Sequence, residues 1–386
     1  MRRAPTPLDY RAPRWLLGRA DVAAPDAAPG QRGEAPSWGG HLQTIWPVLF
    51  SRHHDGDRPR FRRERWTAPD GDFIDVDFAH HGPGPTAGPS APSRPLLVLF
   101  HGLEGSSDSH YALSFAAEAR RLGWDLAVPH FRGCSGEPNL APRAYHSGDF
   151  EEIGWILERL RGPAEAPPRT LVAVGISLGG NALLRWAEEA GEQACGTVRA
   201  LSAVCSPIDL SAGGQAMGRG FNRLVYTPRF LRTMKPRALV KLRQHPGLFD
   251  RERLLAARTL YEFDNVFTAP LHGFRDTDDY WARASAKPHL ASIRVPALVI
   301  NALNDPFVPA SSLPGPGEVG RWVTLWHPAD GGHVGFPQGR WPGHVNGLPR
   351  SVCGWLAEAG SLARADPSEA ASAADDSSAA LSPQDA

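Results

Sequence analysis

Residues 171 to 191, LVAVGISLGGNALLRWAEEAG, constrain the fold more than any other stretch. Leu171 to Val174 form an apolar, β-branched run that reads as a buried strand. The chain then turns through Gly175-Ile176-Ser177-Leu178-Gly179 and continues with Ala182, Leu183, Leu184, Trp186 and Ala187 at helical spacing. Strand, G-x-S-x-G, helix is the order in which a serine is lifted out of a sheet on a cramped turn. Glycines two residues to either side let the strand and helix backbones approach. The helix N-terminus beneath favours negative charge. The rival reading is a glycine-rich turn that merely packs, and the strand and helix flanks are what count against it.

The chain has 386 residues, enough for one large α/β domain with insertions or for two smaller ones. Its 41 basic and 41 acidic residues cancel, which argues against a general polyanion-binding surface, and no nucleic-acid partner is expected. Cys134, Cys195, Cys205 and Cys353 have no paired spacing and read as free thiols of a reducing compartment. The N-terminus MRRAPTPLDYRAPRWLLG is basic but lacks a continuous apolar core and a cleavage site. No apolar run is long enough to span a bilayer, so the expected location is the cytosol.

Residues 1–36, rich in Pro, Ala, Gly and Arg, are expected to be flexible, and the Ala-, Ser- and Asp-rich tail 363–386 disordered. In SWGGHLQTIWPVLF (37–50) the Trp, Ile, Leu and Phe positions predict a short element docked on the core. Arg60 to Asp77 reads as a hairpin about the turn Pro69-Asp70-Gly71, and 82–95 as a low-complexity surface loop. The strand Leu96 to Phe100, the helix ALSFAAEARRLG, the strand in WDLAVPHFRGCSG and the helix DFEEIGWILERL precede the 171–191 stretch. This alternation predicts an α/β class fold, a mostly parallel doubly wound sheet with right-handed crossovers. A strand in 200–210 follows. Helical, basic and aromatic residues 211–290 then break the rhythm and read as a helical cap inserted between core segments 37–210 and 291–362. Strands in 297–309 and 322–336 and a helix from Val345 to Ala359 complete the pattern.

A serine hydroxyl becomes a competent nucleophile only beside a base that an acid orients. Asp305 follows the strand ALVINALN, and His333 lies in the turn Asp330-Gly331-Gly332-His333 after WVTLWHP. The assignment is Ser177 as nucleophile, His333 as base and then acid, and Asp305 as the group orienting the imidazole. Asp209 is the rival acid, and His327 and His344 are alternative bases. An aspartate before proline is also an ordinary turn former. The developing oxyanion needs backbone N–H donors. Leu178, after the serine, and Leu103, in the turn His101-Gly102-Leu103-Glu104-Gly105, are assigned to that role, with Gly102 as the practical probe. This chemistry calls for no metal and no organic cofactor. The paired histidines at 53–54 and 80–81 read as solvated loops, and Gly175 to Asn181 lacks the phosphate-loop spacing. The basic segment 228–244 reads as a cap helix with its charged face in water, with contact to a lipid surface as the alternative. Its apolar side, with Phe221, Leu224, Phe230 and Leu231, is expected to suit an acyl group.

The motifs HGLEGSSDSHY, FRGCSGEPN, YHSGDFEEI, VGISLGGN, FDNVFTAPLHGF and GGHVGF, with GGHLQTIWP upstream, resemble the YheT-like branch of the α/β-hydrolases over roughly residues 37 to 360. The resemblance implies a Ser–Asp–His triad falling on Ser177, Asp305 and His333. It implies carboxylic-ester hydrolysis, with acyl transfer to an alcohol in some members. The family often carries Asn where His130 stands, and the 82–95 insertion is long. Asp264 lies in a family motif and is read as structural. The expectation is a serine hydrolase acting on short- to medium-chain acyl esters, acylglycerols among them, with a small-molecule ester as partner and no obligate protein partner. The rivals are an alcohol acyltransferase using the same triad and a non-catalytic binding protein of the same fold. Intact serine, aspartate and histidine positions count against the last.

Overall fold

Every residue of β3 (Leu96–Phe100), β4 (Asp125–Pro129) and β5 (Leu171–Ile176) is buried. Strands buried on both faces must be covered by helices on both sides. The computed structural model describes residues 10, 12–16, 38–79, 94–163 and 167–362. Most of 1–36, nearly all of the 82–95 loop and the 363–386 tail therefore lie outside the described residues.

One eight-stranded sheet has the order β1-β2-β4-β3-β5-β6-β7-β8. The expected hairpin is β1 (Arg62–Thr67) with β2 (Phe73–Ala79), antiparallel, and β2 pairs antiparallel with β4. All other pairings are parallel, through β6 (Leu201–Val204), β7 (Ala297–Ile300) and β8 (Val323–Trp326). α1 (Trp38–Leu49) precedes the sheet. One face is covered by α2 (His110–Arg121) and the last helix, α12 (Gly347–Ala359), through Phe115, Val352 and Leu356. The other is covered by α3 (Phe150–Arg161) and α4 (Leu178–Ala190), through Ile153, Leu157 and Leu183. A short α5 (Ala194–Thr197) leads into β6.

Between β6 and β7 run six helices: α6 (Leu210–Met217), α7 (Gly220–Gln244), α8 (Arg251–Ala256), α9 (Leu260–Val266), α10 (Thr268–Leu271) and α11 (Thr277–Ala284). They carry a small core of their own, Leu231, Leu254, Phe263 and Phe267 among it. Among the described residues no helix is long and apolar enough to cross a membrane.

Two expectations are corrected. α1 does dock, but through Gly39, Gly40, His41, Gln43, Thr44 and Pro47, while Trp38, Leu42 and Leu49 face outward. Its buried polar groups find fixed partners in a loop near the other end of the chain, so polarity does not drive them to water. In the N-terminal segment, Tyr10 is buried and donates its hydroxyl to the Pro337 carbonyl at 2.6 Å, so packed structure begins well before residue 37.

Candidate active site

Ser177 caps α4 directly after β5, with φ 53° and ψ −119°, a left-handed conformation that a side chain rarely adopts. The turn is this tight because its flanks touch. A Cβ at Gly175 would lie 2.4 Å from Gly180 Cα, and one at Gly179 2.5 Å from the His101 carbonyl oxygen. The sequence G-x-S-x-G is what lets β5 pass into α4 without a spacer.

The structure brings Ser177, His333 and Asp305 together. Ser177 Oγ lies 3.0 Å from His333 Nε2, and His333 Nδ1 lies 2.9 Å from Asp305 Oδ2. With Nδ1–H donating to the carboxylate, Nε2 is the unprotonated nitrogen facing the serine hydroxyl. Asp305 is buried and also accepts from the Phe307 N–H at 2.8 Å. Asp209 is elsewhere: it caps α6, accepting from Ala212 N–H at 3.0 Å. Of the histidines among the described residues, His333 alone is bonded to Ser177; His327 and His344 are not. Cys205, at a positive φ of 50°, accepts from Val334 N–H at 3.3 Å. Its Sγ, Asp305 and His333 offer donor atoms within 4.8 Å of one another. Burial raises the Cys205 thiol well above its usual range, and a neutral thiol is a poor metal ligand.

Residues that sequence reasoning did not single out hold the histidine loop. Thr44 Oγ1 accepts the His333 N–H at 2.8 Å, and Gln43 Oε1 accepts the Gly331 N–H at 2.7 Å. Asn304 Oδ1 accepts the Gly332 N–H at 3.0 Å, and its amide donates to Gln43 Oε1 at 2.9 Å. For Gln43 and Thr44 the sequence signal was a polar pair inside the largely apolar 37–50 stretch. A second unforeseen brace is Asn181, one turn beyond Ser177. It donates to the Ser147 and Ala284 carbonyls at 2.8 and 2.7 Å and accepts the Ala286 N–H.

Four successive N–H groups follow β3 and His101. Gly102 donates to Tyr111 Oη at 3.0 Å, Glu104 to Tyr145 Oη at 3.1 Å, and Gly105 to the Gly102 carbonyl at 2.9 Å. Leu103 N–H has no partner among the described residues, and neither has Leu178 N–H at the start of α4. Burial holds the His101 imidazole down to about 3, so it is neutral. It donates from Nδ1 to the Gly102 carbonyl at 2.8 Å and accepts the Phe131 N–H at Nε2, at 3.0 Å, which pins the turn.

A cavity of about 410 Å³ lies over Ser177, a size suited to a small organic ligand. Ser177, His333, Leu103 and Leu178 line it, together with Leu210, Met217, Phe230, Phe263, Phe267 and Phe307. Leu224, expected on this side, instead faces solvent at 77% exposure. Asp264 lines the cavity too. It accepts from Thr268 Oγ1 at 2.6 Å and Trp281 Nε1 at 3.0 Å, tying α9 to α10 and α11. Burial raises its carboxyl to about 6.

Residues 95–339 match the family model described as alpha/beta hydrolase fold. The "Putative esterase YheT" of Escherichia coli (strain K12) is 39% identical over 77% of this chain and 84% of its own. "Phospholipase ABHD3" of Homo sapiens is 28% identical over 79% of this chain and 73% of its own. "Monoacylglycerol lipase" of Saccharomyces cerevisiae is 26% identical over 77% and 74%, respectively.

Proposed function

Since the chain belongs to the α/β-hydrolase family, on its YheT-like branch, we propose that it hydrolyses carboxylic esters of short- to medium-chain acyl groups through an acyl-enzyme. Putative esterase, phospholipase and monoacylglycerol lipase are the names its relatives carry, and hydrolysis of an ester is the chemistry they share. The observation that carries the reading is the continuous hydrogen-bonded line from Ser177 Oγ through His333 to Asp305.

Ser177 Oγ attacks the ester carbonyl while His333 Nε2 takes its proton. Asp305, bonded to Nδ1, steadies the imidazolium without accepting the proton. The tetrahedral oxyanion is received by the N–H groups of Leu178 and Leu103, both without a partner among the described residues and both at the cavity wall. His333 then protonates the departing alkoxide, leaving an acyl group on Ser177. Water, deprotonated by the same imidazole, releases the acid. The apolar wall of Phe230, Phe263, Phe267 and Met217 suits an acyl chain.

A fluorophosphonate probe followed by peptide mapping, with a chain-length series of p-nitrophenyl esters, tests the proposal. Labelling of Ser177, lost in Ser177→Ala together with ester turnover, is the expected result. Labelling at another residue, or turnover that survives Ser177→Ala, would overturn it.

A further inference from the structure

α1 is mounted inside out. Positions 38, 42, 45 and 49 fall on one stripe of a helix. Here that stripe is Trp38, Leu42, Ile45 and Leu49, with Trp38 and Leu49 each 62% exposed and Leu42 40%. Phe50 extends it at 54% exposure. The inward side is the polar one, because Gln43 and Thr44 are spent on the His333 loop. Contiguous exposed apolar side chains of this size mark a contact surface.

The neighbouring face says what it fits. Trp38 packs its ring on Phe221 of α7 at 5.6 Å, and His41 Nδ1 meets Tyr226 Oη at 3.2 Å. The 25 residues of α7 contain seven Lys or Arg and no Asp or Glu, in a chain whose charges balance overall. Arg223, Arg229 and Arg232 are exposed, with no ion pair among the described residues, and Leu224 and Val225, directly after Arg223, are exposed too. An apolar ridge packed on a helix whose exposed arginines have no ion pair among the described residues matches an interface of acyl chains beneath phosphate headgroups. A second copy placed symmetrically on this face would set arginine against arginine.

We propose that the outer stripe of α1 and the first half of α7 form a docking face for an anionic lipid surface. Rings run from this face to the reactive centre: Trp38, Phe221, Tyr226, Phe307 and His333, with successive centroids 5.6, 5.8, 4.7 and 4.3 Å apart. Docking therefore sets the lipid surface beside the cavity wall that Phe307 forms.

The test is co-sedimentation of the full chain with two kinds of vesicle, phosphatidylcholine alone and phosphatidylcholine with phosphatidylglycerol in equal parts. Binding is expected to the mixed vesicles and to weaken as salt is raised. Replacing Arg223, Arg229 and Arg232 together by Gln should lower partitioning roughly a hundredfold, about fivefold for each cation lost. Leu42→Asp with Leu49→Asp should lower it at least about tenfold. In both variants turnover of a water-soluble p-nitrophenyl ester should be unchanged, which shows that the fold is intact. The proposal fails if the wild-type chain ignores mixed vesicles, or if the Leu42→Asp, Leu49→Asp variant sediments like wild type. It fails equally if the wild type is a dimer that this variant splits, since a second copy then covers the stripe. Wild-type sedimentation without ester turnover would strike the esterase reading alone.

Discussion

Thr44→Val removes one hydroxyl, and with it two hydrogen bonds, beside the reactive centre. Thr44 Oγ1 accepts the His333 N–H at 2.8 Å and donates to the Gly40 carbonyl at 2.7 Å. Valine keeps the branched shape and removes the acceptor. Leaving a half-buried N–H without a partner costs about 1–3 kcal/mol. The neighbouring N–H groups of Gly331 and Gly332 stay bound to Gln43 and Asn304, so the loop remains attached and the slack concentrates at His333. If most of that cost appears as misdirection of the imidazole in the transition state, kcat falls roughly tenfold to a hundredfold, at about 1.4 kcal/mol per decade. KM should stay near wild type, because the apolar wall of Phe230, Phe263, Phe267 and Met217 is untouched, and Tm should drop by only a few degrees. Steady-state hydrolysis of a p-nitrophenyl ester, normalised by fluorophosphonate titration, measures the effect. Thr44→Ser keeps the oxygen and should restore most of the rate. A valine variant with wild-type kcat, or a serine variant as slow as the valine one, would refute the reasoning.

Asp305→Asn should cost about 10⁴-fold in kcat by favouring the wrong imidazole tautomer. Asp209→Ala, by contrast, should leave turnover intact and cost about 1 kcal/mol of stability through its lost cap on α6, read by kinetics and melting together. Gly102→Ala places a Cβ 3.3 Å from Ser177 Cβ and should slow turnover about 10²- to 10³-fold by displacing Leu103 N–H, with Ser177 still accepting the fluorophosphonate slowly. Burial holds His101, His146 and His272 down to about 3. At neutral pH both folded and unfolded chains carry them uncharged. Below about 6.5 the unfolded chain takes up protons that the folded chain refuses, so stability is lost progressively down to the folded values near 3. Melts across that window should show a falling Tm, with a shallower slope in His272→Phe; a flat profile would contradict the assignment.

The parallel sheet and the serine turn were legible because their signals are local. Leu96–Phe100 and Leu171–Ile176 are unbroken apolar runs, and G-x-S-x-G reports a backbone approach within a few residues. Asp305 and His333 were preferred by their place after strands and by the family motifs, with Asp209, His327 and His344 left as rivals, and the geometry sets the preferred pair within reach of Ser177. What stayed hidden was long-range and polar. Apolar content implied that α1 buries Trp38 and Leu49, yet its anchors are Gln43 and Thr44, whose partners lie nearly three hundred residues away. Periodicity says which face of a helix is apolar, but not which face meets the protein. Leu224 was misjudged on the same grounds.

The clamp on the histidine loop also orders events in time. During synthesis the strand bearing Ser177 emerges before β7 and β8 exist, so an incomplete chain carries the hydroxyl without its base. When residues 331–335 finally appear, their seat is formed by Gln43 and Thr44, made nearly three hundred residues earlier. Assembly of the Ser177–His333–Asp305 line thus waits for the last strands, and deleting α1 would be expected to unseat a histidine that lies far along the chain from the cut.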